Sequence, residues 1–168
     1  MDSPGGGANL IFIDPDGDRF HIVNIQAGGD ERVLSALDEA LEKYKSKDVP
    51  WFDGVPDTTA PEYKDKLVVY AFVDDKEAST KTVKALSHPW IAKDHDRMVF
   101  VKQLGRDGEL AKKFQVATVP TLVYVAPGLK ESDRLVERKG GEATLRMIRG
   151  VQKRAFEKIK KALDPAAK

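Results

Sequence analysis

Apolar residues along this chain follow two repeats, short strand-like runs and stripes at helical spacing, and the switches between them predict its elements. From Asn9 the stretch NLIFIDPDGDRFHIVNI holds an apolar run, Leu10 to Ile13, then the polar DPDGD, then a second run with Phe20, Ile22, Val23 and Ile25. Asp-Gly between two such runs is the sequence mark of a β-hairpin. GGDERVLSALDEALEKYKSKD follows, with Leu34, Leu37, Leu41 and Tyr44 spaced three, four and three residues apart. That spacing makes one helical stripe, with Asp30 placed as N-cap and acids in the first turn. A loop rich in Pro, Asp and Thr, VPWFDGVPDTTAPEYKDK, closes this block.

The second block opens with LVVYAFV, residues 67 to 73, whose unbroken apolar character predicts a strand covered on both faces. DDKEASTKTVKALSHP begins a helix with Val83 and Leu86 facing inward, and MVFVKQL, residues 98 to 104, reads as the next strand. A short helix is expected from roughly Gly108 to Phe114, after which Pro120 opens the strand TLVYV. Proline donates no ladder hydrogen bond, so within a strand it belongs at the first position or in a special turn. APG turns the chain into DRLVERK, and a last helix is predicted from about Glu142 to Leu163, with Leu145, Ile148, Phe156, Ile159 and Leu163 along one side. The order β-α-β-α-β-β-α implies an α/β fold, a mixed sheet with helices on both faces.

Composition narrows the chemistry. At 168 residues and 41% hydrophobic there is room for one well-cored domain, and a second full domain would be cramped. Lys+Arg number 28 against 27 Asp+Glu, a formal charge of +1, so the chain lacks the basic excess by which phosphate-binding proteins hold nucleic acid. Charge is nonetheless uneven: residues 1–66 hold seven Lys+Arg and fourteen Asp+Glu, a balance of −7, while residues 142–168 hold eight and three, a balance of +5. There is no cysteine, which excludes disulfides, thiolate nucleophiles, Cys-ligated zinc and iron–sulfur clusters. No apolar run approaches the ~20 residues of a membrane span. MDSPGGG lacks the basic and apolar regions of a signal peptide. Residues 1–8 are therefore expected as a flexible tail, and the chain as soluble, in the cytoplasm or exported.

The element order, with KFQVATVPTLVYVAPG in its middle, resembles the thioredoxin fold, and AKKF-x-V-x-x-VPTLV is similar to that family's signature before its cis-proline strand. SHPWIAKDHDRMVFVK is similar to the S-D-P-x-V insertion of thioredoxin-like proteins whose first helix is extended. The likeness covers about residues 66–163. It implies a thioredoxin-like mixed sheet flanked by helices, with an N-terminal β-hairpin and helix. On that reading 9–168 is one domain, an extension over 9–65 and a core over 66–163. The family's CxxC would fall at the start of the helix after LVVYAFV. Counting from the strand places it at Lys76 and Ser79, and counting back from Ser87-His88-Pro89 places it at Asp75 and Ala78. Neither register supplies sulfur, and disulfide exchange needs one thiolate to attack and another to leave. The resemblance thus implies a redox-inactive module with no cofactor. What it retains is a groove in which Val119, between Thr118 and Pro120, would offer its backbone to an extended protein or peptide partner. Two alternatives stand beside it: a fragment or cysteine-free variant of a redox protein, and a glutathione-binding transferase using Ser79 or Thr80.

A second resemblance lies inside the chain. NLIFIDPDG…HIV…VLSALDEALEKY is similar to the final hairpin and helix of another thioredoxin-like unit, and roughly echoes TLVYVAPG…RLVE…LRMIRGVQKRAFEKI. Residues 9–46 are then either the tail of a second unit or the extra first elements of one domain; the single domain is favoured because an orphan hairpin and helix leave an apolar face bare. Asp14, Asp16 and Asp18 suggest calcium, but Arg19 and Ile25 stand where an EF-hand-like loop needs Gly and a bidentate acid. A tight turn explains them better. His21, His88 and His95 do not by spacing make a metal site, and Trp51, Phe52 and Trp90 either plug the core or stand out as anchors.

Overall fold

The structure, a computed structural model, describes residues 8–13, 19–25 and 29–164. By its contacts the chain divides into two units, Met1–Ser46 and Lys47–Lys168. Segment 47–65, which the sequence groups with the N-terminal extension, lies with the second unit. The DPDGD turn and nearly all of the expected tail, which includes Ala8 of the first strand, fall outside the described residues.

In the first unit, β1 (Ala8–Ile13) pairs antiparallel with β2 (Arg19–Ile25), Leu10 opposite Val23 and Ile11 opposite Ile22. The register slips between Phe12 and Ile13. Helix α1 (Gly29–Lys43) packs along β2. Because it starts at Gly29, Asp30 lies inside the first turn rather than at the N-cap, where its charge still favours the helix dipole. Ala36 and Ala40 are its buried positions, whereas Leu34, Leu37 and Leu41 remain 60%, 42% and 60% exposed. The leucine stripe read from the spacing is therefore the open side of this helix.

The second unit carries a four-stranded sheet in the order β4-β3-β5-β6. It begins with β3 (Leu67–Val73), all seven residues of which are buried as the unbroken run predicts. Helix α2 (Glu77–Leu86) and a single turn, α3 (Pro89–Ala92), lead to β4 (Met98–Leu104), parallel to β3. The turn α3 was not legible in the pattern. It exists because the His88 ring accepts from the Trp90 amide and Pro89 occupies the first helical position. Helix α4 (Glu109–Lys113) follows, then β5 (Thr121–Val125), antiparallel to β3, and β6 (Leu135–Gly140), antiparallel to β5. Helix α5 (Leu145–Leu163) starts three residues later than the sequence suggests, where Thr144 Oγ1 accepts from the Met147 amide at 3.4 Å.

The sheet is covered on both faces. On one, Leu67, Val69, Phe100, Leu122 and Tyr124 meet Leu86 and Ile91 together with Ile148, Val151, Ala155 and Ile159 of α5. On the other, Val68, Tyr70, Val101, Val123 and Val125 meet Ala111 and Val116, with Phe114 packed against them. Thr82 ties α2 to the start of α5: its hydroxyl donates to Ala78 O at 2.9 Å and accepts from the Ala143 amide at 3.1 Å. Trp51 lies beside the outer edge of β4 in a parallel bridge with Phe100, and Phe52 N donates to Phe100 O at 2.7 Å. Trp51 is thus a half-buried aromatic packed against the core, its ring edge-on to Phe100 at 6.2 Å.

Candidate functional site

Pairing of Phe72 with Thr121 brings the end of β3 beside the start of β5. Two loops meet there, Asp74–Lys76 entering α2 and Ala117–Pro120 entering β5. The candidate residues of both segments are therefore gathered at one end of the sheet.

The first loop is organised by Asp74. Its Oδ1 accepts from Ser79 Oγ at 2.5 Å and from the Lys76 amide at 3.2 Å, and its own amide donates back to Ser79 Oγ at 3.0 Å. The Ser79 hydroxyl, above all, holds the Asp74 carboxyl below its usual pKa; desolvation opposes it, and the Lys76 amide and ammonium group add to the lowering. Lys76 is the N-cap residue of α2, with a backbone that turns into the helix but no capping side-chain bond. Asp75 precedes it, exposed; Ala78 and Ser79 are the second and third helical residues, and Ser79 is 1% exposed. Thr80 Oγ1 donates to Lys76 O at 3.3 Å. Both hydroxyls near the expected cysteine positions are therefore spent on local hydrogen bonds. Asp74, the hub, was missed by the sequence reading, although an Asp at a strand end five residues before a Ser is the signal that marks it.

The second loop is braced from three sides. Arg106 Nη1 donates to Ala117 O at 3.0 Å, Thr121 Oγ1 to Thr118 O at 2.6 Å and Gly141 N to Pro120 O at 2.8 Å. The Val119–Pro120 peptide bond is cis. Pro120 is buried, Val119 half-buried and Thr118 exposed. Among the described residues, no hydrogen bond engages the amide or carbonyl of Val119.

His88 and His95 do not join this site. His88 caps α3, and His95 Nε2 donates to Leu86 O at 3.2 Å with its ring 5.0 Å from that of Phe100. Burial, chiefly, lowers the His95 pKa, aided by Lys47 and opposed by that hydrogen bond and Asp94. Among the described residues no group of three His, Asp or Glu is placed to hold a metal; the three aspartates of the DPDGD turn lie outside them.

No protein-family model matches the chain, and no curated protein matches it. Similar solved structures include a thioredoxin from Fasciola hepatica, 18% identical, over 71% of this chain and 92% of its own, with a TM-score of 0.42. A chloroplastic thioredoxin z is 15% identical over 71% and 97% with a TM-score of 0.46. DsbH oxidoreductase is 16% identical over 67% and 87% with a TM-score of 0.45. It is the strand order and strand directions of the second unit, rather than these distant likenesses, that define its architecture. With a parallel β3–β4 pair, two antiparallel strands beyond it and helices on both faces, the second unit is a thioredoxin-like fold that carries no cysteine.

Proposed function

We propose that the second unit is a non-enzymatic binding module that holds an extended segment of a protein partner along Thr118, Val119 and Pro120, with Asp74–Thr80 as the opposite lip. The observation that carries this reading is the unengaged main chain of Val119, half-buried at the end of the sheet while its neighbours' carbonyls are already taken. A main chain whose amide and carbonyl are both free is what a strand needs in order to add to a sheet. Chemistry on the substrate is disfavoured by the other lip. Its two hydroxyls serve the backbone and Asp74, and thiol exchange has no sulfur to use.

Titration with an unfolded, cysteine-free polypeptide while following backbone amide resonances tests the proposal. Shifts should concentrate at 74–80 and 117–121, and Val119→Pro, which deletes the amide donor, should weaken binding about fivefold, the scale of one hydrogen bond of ~1 kcal/mol. Shifts confined elsewhere would sink it.

A further inference from the structure

We infer that the first unit is the hairpin-and-helix half of a second thioredoxin-like unit, and that its uncovered surface docks a strand–helix–strand–helix segment of another polypeptide built like β3 to α4. The inference rests on a comparison internal to the chain. Leu10-Ile11-Phe12-Ile13 of β1 answers Leu122-Val123-Tyr124-Val125 of β5, and a Pro stands two residues beyond each. Both strands pair antiparallel with the strand that follows, and both registers slip at the same aligned step, between Phe12 and Ile13 and between Tyr124 and Val125. In each case the slip passes over one residue of the partner strand, so that Ile13 faces Arg19 and Val125 faces Leu135. A helix follows each second strand after a short connection.

The two hairpins differ in what covers them. In the second unit β5 has β3 on its free edge, and Val123 and Val125 are 0% and 8% exposed beneath Ala111, Phe114 and Val116. In the first unit no strand among the described residues lies on the other edge of β1, and the equivalent Ile11 and Ile13 are 44% and 58% exposed. Ile22, opposite Ile11, is 55% exposed. Helix α5 has α2 and α3 against it, whereas within its own unit α1 packs chiefly on β2 and shows Val33, Leu34, Leu37 and Leu41 to solvent. Of the large apolar residues that the described structure leaves exposed, more than half lie on this one small unit. Large apolar side chains left exposed in that number on one small unit mark an interaction site, and β1, with neither charge nor proline along it, is an unprotected edge.

The occupant follows from the equivalence. It places an apolar strand antiparallel on β1 and a helix over Ile11, Ile13 and Ile22, the places that β3 and α4 fill over β5. Residues 1–46 hold four Lys+Arg against nine Asp+Glu, so the occupant's other helix, in the place that α2 takes beside α5 and hence beside Leu37 and Leu41 with their neighbours Asp38 and Glu42, carries lysine or arginine at its rim.

The test uses the full chain, extended before Met1 by a copy of its own residues 66–116 on a flexible Gly/Ser linker. Amide hydrogen exchange over Leu10–Ile13 should slow about tenfold or more relative to the unextended chain, and fluorescence of an added naphthalene-sulfonate dye should fall. Ile11→Asp with Leu37→Asp in the extended chain should reverse the slowing while leaving exchange in β3 and β5 unchanged. Exchange over Leu10–Ile13 as fast as in the unextended chain overturns the inference. So does a dimer of the unextended chain, seen in sedimentation, that Ile11→Asp abolishes, since a second copy would then own the face.

Discussion

Gly128 faces the backbone of Lys64 so closely that a Cβ built on it would stand 2.0 Å from the carbonyl oxygen. The obstacle is main chain, which cannot swing aside as a side chain can. Gly128→Ala is therefore expected to cost about 1–3 kcal/mol, the range for overpacked sites, as measured by chemical denaturation. Asp74 and Ser79 give a second expectation at this scale. The folded carboxyl titrates below its unfolded value, so its charge-dependent contribution is complete above the unfolded pKa of about 3.9 and is lost as pH falls through the folded pKa. In Ser79→Ala the Asp74 resonance should titrate higher. The charge-dependent part of the stability difference from wild type should be full at neutral pH and shrink below the carboxylate range. An unchanged Asp74 titration would deny Ser79 its role.

Helices α1 and α5 show how little spacing alone says about burial. Both carry apolar residues at three- and four-residue intervals, yet Ile148 is 1% exposed and Leu37 42% exposed. Ile148→Ala should cost about 2–5 kcal/mol through lost transfer energy and a residual cavity. Leu37→Ala should stay within about 0.5 kcal/mol, as exposed substitutions do. Equal losses at the two sites would mean that Leu37 is covered in solution. In α5 itself the sequence stripe named Ile148 and Ile159 correctly but also Leu163, which is half exposed, and it passed over Val151, Ala155 and Gln152. Gln152 is buried because its amide donates to Asp94 Oδ2 at 2.7 Å, a partner 58 residues away that no local pattern contains.

For the molecule as a whole, the sheet of the second unit sets a gradient of protection. Strand β3 has a hydrogen-bonded neighbour on each side and both faces buried, whereas β1 and β2 form a sheet of two. Amide exchange should be slowest in β3 and β5 and faster by orders of magnitude in β1, because local opening there breaks fewer contacts. Comparable rates across the two sheets would contradict this ordering.

What residue order alone determines here is chiefly local: the strands over 67–73 and 98–104, the hairpin, the longer helices and the absence of cysteine. Each follows from period, punctuation or composition, which neighbours in sequence suffice to set. Tertiary structure decided which side of α1 is open, that Trp51 closes the β4 edge, that Asp74 binds Ser79 and that Val119 keeps a free main chain. Those outcomes depend on which surfaces meet after the chain has folded back on itself, and hydrophobic periodicity states that a face is apolar without naming what covers it.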